Sequence, residues 1–142
     1  MSLVLEGIVN KMHKIKRRKD SGNFIEKYVK SFHHAVDGII YAIENEQNIL
    51  IMMIATVLAF IVSFILKVSK IELCLIVICI GMVIACELVN SAIEACVDLE
   101  TTKTNSLAKI AKDCASGASL VLSVSSLFAA GIIFIPKIIA LF

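Results

Sequence analysis

Three long stretches without a charged residue constrain the possible folds of this chain more than any other feature of its sequence. Residues 48–66 and 114–136 carry no acidic or basic side chain, and residues 73–86 form a third such stretch within the longer segment 71–98. As a helix, residues 48–66 would be about 28 Å long, close to the roughly 30 Å thickness of membrane hydrocarbon. A backbone that crosses hydrocarbon must satisfy its own hydrogen bonds, as a helix does. The sequence therefore predicts three transmembrane helices, at 48–66, 71–98 and 114–136.

Composition favours the same class, an all-α integral membrane protein. Hydrophobic residues make up 58% of the 142 residues and the mean hydropathy is +0.90, which exceeds what a soluble domain of this length can bury. The five cysteines show no Cys-x-x-Cys pair, so we interpret them as packing residues of the membrane helices. The first residues lack the basic region and cleavage site of a signal peptide, so we expect the N-terminus to be kept. No nucleic-acid partner is expected.

Before the first crossing, we predict a basic extension at residues 1–22, followed by a single membrane domain at residues 23–142. In the extension, apolar residues at helical spacing run into the cluster Lys14 to Lys19. This pattern fits either a segment attracted to anionic lipid or a disordered basic tail. Residues 23–44 have an apolar and a charged face, which predicts an amphipathic helix along the membrane surface. The adjacent His33 and His34 point about 100° apart on such a helix, so they are poor joint metal ligands.

The distribution of basic residues indicates an orientation in the membrane. Most of them precede residue 45 or lie in a polar loop predicted at 99–113, whereas Lys67, Lys70 and Lys137 would lie on the other side. Because Lys and Arg concentrate in cytoplasmic segments, we expect the N-terminus and the loop at 99–113 to be cytoplasmic.

A polar stripe interrupts the second predicted crossing near its cytoplasmic end. At about 100° per residue, the four side chains of this stripe fall within a sector of roughly 80°, with Ser91 beside them: Glu87, Asn90, Glu94 and Asp98. No Lys or Arg occurs between Lys70 and Lys103, and a carboxylate near hydrocarbon is costly unless it is paired or bound to metal. The positive charge must therefore come from another helix, another chain or a cation. A solvated helix end without chemistry is the alternative.

Carboxylates that lack local cations and border both cytoplasm and lipid suit phosphoryl transfer from a nucleotide to a lipid hydroxyl. Magnesium binds proteins through one or two carboxylates while phosphates and water complete its coordination, and Glu46 and Glu94 are candidates for that pair. Glu87 lies deeper in apolar sequence, where burial makes a carboxylate a stronger base, so it suits the role of general base. A small oligomeric cation transporter or channel is the alternative of another class, although its acids would be expected at mid-depth.

Two motifs resemble a known family. The run Glu-x-x-Asn-Ser-Ala-Ile-Glu-x-x-x-Asp at 87–98, followed by Ala-Lys-Asp at 111–113, is similar to the small prokaryotic diacylglycerol kinase and undecaprenol kinase family. The resemblance extends from about residue 27 to the C-terminus. It implies a homotrimer in the bacterial cell membrane, an amphipathic N-terminal helix, active sites shared at the cytoplasmic interface, and the use of ATP, Mg²⁺ and a lipid alcohol.

The resemblance also implies roles for individual residues. By position, Glu87 matches the catalytic base, and Glu46 and Glu94 match the metal ligands. The positions that match nucleotide contacts are Lys27, His34, Glu46, Glu94, Lys103, Thr104, Asn105, Lys112 and Asp113, and those that match substrate contacts or support of the polar face are Ser31, Asn90 and Asp98. Residues 50–52 read Leu-Ile-Met where proteobacterial diacylglycerol kinases carry Arg-Gln-Glu, and this departure favours undecaprenol over diacylglycerol as the acceptor.

Overall fold

The computed structural model describes residues 24–100 and 105–141. These residues form four α-helices: α1 (Phe24–Asn45), α2 (Gln47–Ile65), α3 (Lys70–Glu100) and α4 (Ser106–Ile139). The helices α2, α3 and α4 contain 19, 31 and 34 residues, and each is long and apolar enough to cross a membrane. This confirms the prediction of an all-helical chain with three candidate membrane spans.

The chain divides into two compact units after Gly38, within α1. In residues 24–38, Lys30 Nζ donates a hydrogen bond of 2.7 Å to Glu26 Oε1, one helical turn away. This bond and the charge of Lys30 lower the pKa of Glu26. The basic extension predicted at residues 1–22 lies outside the described residues, and the amphipathic surface helix at 23–44 stays a prediction.

A tight turn at residues 66–69 joins α2 to α3, close to the gap between the crossings predicted at 48–66 and 71–98. Lys67 adopts a left-handed conformation, with φ of 49°, and its neighbour Val68 donates its N–H back to Ser63 O at 3.1 Å. Ser69 and Glu72 then start α3 with a reciprocal cap. Ser69 N–H donates to Glu72 Oε2 at 2.6 Å, and Glu72 N–H donates to Ser69 Oγ at 3.3 Å. The cap satisfies two backbone groups that the first turn of a helix leaves unpaired.

The helices α3 and α4 pack antiparallel along most of their length. At one end Lys137 Nζ lies 3.1 Å from Glu72 Oε2, further along Ser116 Oγ donates to Asn90 Oδ1, and at the other end α4 contacts Asp98 of α3. The helix α2 packs on α3 over a shorter surface. Most large apolar side chains of these helices face outward, as Phe64 does with 87% of its surface exposed. An outward apolar surface is what helices in hydrocarbon present to lipid or to another chain.

The polar loop predicted at 99–113 is wrong for most of its length. The helix α3 continues to Glu100, and α4 begins at Ser106, well before the apolar stretch at 114–136. Asn105 caps α4, because its side-chain oxygen accepts hydrogen bonds from Leu107 N at 2.8 Å and Ala108 N at 3.4 Å. The prediction equates the ends of each helix with the ends of its uncharged stretch, but a charged residue limits only the part of a helix that lies in hydrocarbon.

Candidate active site

A cavity of about 640 Å³ lies between α2, α3 and α4. Seven polar side chains line one end of it: Glu46, Asn48, Glu87, Asn90, Glu94, Ser116 and Ser119. Apolar side chains line most of the remaining wall, among them Ile80, Val83, Leu127 and Phe134. Along α3 the lining extends from Glu94 to Ile76, which corresponds to about 27 Å of helix. We call the two parts the polar end and the apolar wall. A cavity of this form offers polar contacts at one end and apolar contacts along the rest of its length.

Glu87 is the most deeply buried side chain of the polar end, with 1% of its surface exposed. Asn48, in the first turn of α2, donates a hydrogen bond from Nδ2 to Glu87 Oε1 at 2.9 Å. Within the described ranges 24–100 and 105–141, no Lys or Arg forms an ion pair with this carboxylate. A buried carboxylate with one neutral amide partner is costly to the fold.

Asn90 connects the polar stripe on α3 to α4 through hydrogen bonds. It is buried, its Nδ2 donates to Glu94 Oε1 at 3.1 Å, and its Oδ1 accepts from Ser116 Oγ at 3.3 Å. The Glu94 carboxylate is thus oriented by an amide on its own helix, and the amide is in turn held by a hydroxyl on the neighbouring helix. This arrangement fixes the side of α3 that faces the cavity.

Asp98 departs from the rest of the stripe. It does not line the cavity, and its carboxylate forms an ion pair with Lys112 Nζ on α4 at 2.6 Å. The pair is accessible to solvent, since 66% of the Asp98 side chain and 33% of the Lys112 side chain are exposed. Part of the positive charge that α3 lacks therefore comes from α4, but it reaches the end of the stripe and not Glu87. Asp113, next to this pair, is exposed.

Two half-buried carboxylates on the cavity lining provide the kind of ligand that Mg²⁺ prefers. Glu46 lies at the junction of α1 and α2 with an extended backbone, φ of −112° and ψ of 112°, and Glu94 lies on α3. In the part of the chain that the structure describes, no three His, Cys, Asp or Glu side chains come together as a metal cluster. A magnesium ion that keeps water and phosphate oxygens as ligands needs only one or two protein carboxylates, so this donor set fits it.

For several other predicted site residues, the position relative to the cavity stays a prediction. Lys103 and Thr104 are outside the described residues, and Lys27, Ser31 and His34 belong to the separate unit that ends at Gly38. Their predicted contacts with nucleotide or substrate stay predictions. The side-chain oxygen of Asn105 is used to cap α4, a role that the sequence analysis missed although an Asn immediately before a helical run is a common signal of an N-cap.

Sequence reasoning also missed polar residues of the cavity, among them Asn48 and Ser116. Both stand within or at the edge of an uncharged apolar stretch, where a polar side chain is costly unless it is bonded. A polar residue in such a stretch therefore indicates that its side chain has a bonding partner, and this was the signal that could have identified Asn48 and Ser116. The partners, Glu87 and Asn90, became visible only from the packing of α2 and α4 against α3.

Three candidate membrane spans and a cavity that joins carboxylates to a long apolar wall are the features expected of an enzyme that acts on a lipid. A sequence profile of the family described as prokaryotic diacylglycerol kinase matches residues 33–134. The chain belongs to this family, and it is therefore a lipid kinase. The family resemblance drawn from the motifs at 87–98 and 111–113 is confirmed.

Two relatives show how far the similarity extends. The undecaprenol kinase of Bacillus subtilis (strain 168) is 40% identical over 120 residues, which cover 84% of this chain and 98% of the relative. The diacylglycerol kinase of Synechocystis sp. (strain PCC 6803) is 30% identical over 125 residues, which cover 87% of this chain and 71% of the relative. The match to the family profile, at residues 33–134, includes all the residues that line the cavity.

Proposed function

We propose that this chain transfers the γ-phosphate of ATP to the hydroxyl of undecaprenol and so makes undecaprenyl phosphate. The observation that carries the proposal is the cavity, in which the buried Glu87 carboxylate lies at the polar end of a long apolar wall. A polyprenol has a single hydroxyl at the end of a long hydrocarbon chain, which matches this division. The 40% identity to an undecaprenol kinase over nearly its whole length supports the same acceptor, as does the uncharged sequence at residues 50–52.

In this proposal Glu87 is the general base. The acceptor hydroxyl gives its proton to the Glu87 carboxylate as its oxygen bonds to the γ-phosphorus, and the bond to the leaving ADP oxygen breaks. Asn48 donates to Oε1 only, and the hydrogen bonds of the described residues do not involve Oε2. The second carboxylate oxygen therefore remains for the substrate. Exclusion of bulk water by the apolar wall strengthens the electrostatic interactions of the site.

Glu46 and Glu94 would hold Mg²⁺, which supplies positive charge next to the triphosphate when it is bound. Asn90 orients Glu94 through its amide, so we assign Asn90 a supporting role at the polar end. We assign the nucleotide contacts to Lys112 and Asp113 at the start of α4, together with the residues that the family resemblance nominates: Lys27, His34, Lys103, Thr104 and Asn105. Asp98 would hold Lys112 in place through their ion pair, and Ser31 would contact the substrate.

We further propose a homotrimer in the bacterial cell membrane, with active sites shared between chains and facing the cytoplasm. The support is the concentration of basic residues before residue 45 and the family resemblance. An amphipathic helix at 23–44 would lie along the cytoplasmic surface of the membrane. Cross-linking of the protein in membranes, read as the size of the largest covalent species, tests the number of chains.

The purified protein in detergent micelles, with ATP and Mg²⁺, tests the reaction by comparison of two acceptors. We expect undecaprenol to be phosphorylated with a higher kcat/KM than diacylglycerol. A higher value for diacylglycerol would make this chain a diacylglycerol kinase and would contradict the proposed acceptor. If neither lipid is phosphorylated, and liposomes with the protein show cation flux without ATP consumption, the kinase assignment fails and the transporter alternative takes its place.

A further inference from the structure

One buried hydroxyl of the cavity has no role in the chemistry described above. Ser119, on α4, lines the cavity and is 6% exposed. Among the described residues, its Oγ is the buried side-chain nitrogen or oxygen atom that has no hydrogen-bond partner. A buried hydroxyl without a partner costs free energy, so such atoms are rare in folded proteins.

Ser119 differs in this respect from other helical serines of the same chain. The hydroxyls of Ser63, Ser91 and Ser125 each donate to the backbone carbonyl oxygen four residues earlier, at 2.7, 3.1 and 2.8 Å. This is the ordinary way for a serine within a helix to satisfy its hydroxyl. Ser119 does not form this intrahelical hydrogen bond, and it lies on the cavity lining.

The antiparallel packing of α3 and α4 gives the depth of Ser119 in the cavity. Ser116 on α4 faces Asn90 on α3 through their hydrogen bond. From this pair, Ser119 is three residues further along α4 and Glu87 is three residues back along α3, and each step is about 4.5 Å in the same direction. Ser119 and Glu87 therefore lie at the same depth on two walls of one cavity.

We propose that Ser119 binds the acceptor by donating a hydrogen bond from its Oγ to the hydroxyl oxygen of the lipid alcohol. This inference rests on the proposed function. An alcohol has one donor hydrogen and two lone pairs. Its hydrogen points to Glu87, one lone pair accepts from Ser119, and the other attacks the γ-phosphorus, so the two walls fix the direction of attack. The contact is to the hydroxyl that polyprenols and diacylglycerol share, and it selects alcohols over hydrocarbon chains without one.

The first test is steady-state kinetics of Ser119 variants with undecaprenol as acceptor. Thr and Val are nearly isosteric, so Ser119→Thr keeps the hydroxyl and Ser119→Val removes it at similar volume. We expect KM for the lipid to rise about fivefold in Ser119→Val and Ser119→Ala, the factor that one neutral hydrogen bond supplies. Ser119→Thr should stay within about twofold of the wild type, and KM for ATP should not change. The control is Ser125→Ala, on the same helix but exposed and bonded within the helix.

The second test compares the lipid alcohol with its analogue that lacks the hydroxyl. In the wild type, the alcohol should bind more tightly than the analogue, measured as the rise in unfolding temperature that each causes. In Ser119→Ala, binding of the alcohol should weaken while binding of the analogue stays the same. This comparison needs no turnover, so a wild type that phosphorylates neither lipid would overturn the proposed function and leave the Ser119 contact to be decided by binding.

Three outcomes would overturn the inference. The first is a lipid KM in Ser119→Val equal to that in Ser119→Thr, which would mean that the hydroxyl makes no contact with the acceptor. The second is an equal loss of affinity for the alcohol and the analogue, which would assign Ser119 to the shape of the cavity. The third is a loss of affinity with diacylglycerol alone, which would place its partner on an ester and not on the shared hydroxyl.

Discussion

Replacement of Glu87 by Gln is the sharpest test of the proposed chemistry, because it removes the base and little else. Gln has nearly the same shape as Glu and keeps an oxygen that can accept the hydrogen bond from Asn48, which is 2.9 Å long in the structure. It cannot take a proton from the acceptor. General base catalysis contributes about 10²- to 10⁴-fold to a rate, so kcat of Glu87→Gln should fall by that factor.

The same substitution should leave the fold intact, because its two effects on the free energy of unfolding oppose each other. In the wild type, Asn48 donates to a charged acceptor, and such a hydrogen bond contributes about 1.5–3 kcal/mol to stability. In the variant the acceptor is neutral and the bond contributes about 0.5–1.5 kcal/mol, so about 1 kcal/mol of stability is lost. Against this loss, a side chain that is 1% exposed costs less to bury as an amide than as a carboxylate. The unfolding midpoint should therefore stay the same or rise.

The assay measures initial rates of lipid phosphorylation and the affinity for ATP in detergent micelles. The matched control is Glu72→Gln, the same chemical change on the same helix but at its other end, where Glu72 lies 3.1 Å from Lys137. That control should lose a little stability and no turnover. The reasoning is refuted if Glu87→Gln turns over within about tenfold of the wild type. It is also refuted if ATP binding is lost together with turnover, because Glu87 would then hold the nucleotide complex.

Other contacts give further predictions. Glu46→Gln and Glu94→Gln should each raise the Mg²⁺ concentration for half-maximal rate about tenfold or more, in a titration at fixed ATP, and an unchanged requirement would remove them as ligands. The exposed pair Asp98–Lys112 should contribute no more than about 1 kcal/mol to stability in a double-mutant cycle, so an increase in KM for ATP in Lys112→Ala would come from a nucleotide contact. Cys79, which lines the cavity, should react more slowly with a maleimide when undecaprenol is present, and equal rates would mean that the lipid chain binds elsewhere.

The candidate membrane spans could be predicted from the sequence, but the helix ends could not. An uncharged stretch shows where hydrocarbon tolerates the chain, since charges there are costly. The end of a helix depends instead on caps and on packing. Asn105 starts α4 at Ser106, and polar residues on the first turns of that helix continue it beyond the apolar stretch. The predicted loop at 99–113 failed for this reason.

The candidate site could be predicted in part. Helical periodicity alone places Glu87, Asn90 and Glu94 on one face of α3, and all three line the cavity. Periodicity does not show which neighbour faces each residue, because that depends on the register of α2 and α4 against α3. The contacts of Asn48 with Glu87 and the depth of Ser119 therefore required the structure.

At one depth of the cavity, two features lower the stability of the fold by itself. The Glu87 carboxylate is buried with only an amide for a partner, and the Ser119 hydroxyl is buried with none in the described residues. Each costs free energy that an apolar side chain of similar size would not. A lipid alcohol satisfies both at once, because its hydrogen suits the carboxylate and its lone pair suits the hydroxyl. An unbranched hydrocarbon satisfies neither. The two unsatisfied polar groups lower the stability of the fold, but they favour binding of an alcohol over binding of the surrounding lipid chains. An entirely apolar groove would not distinguish the two kinds of molecule.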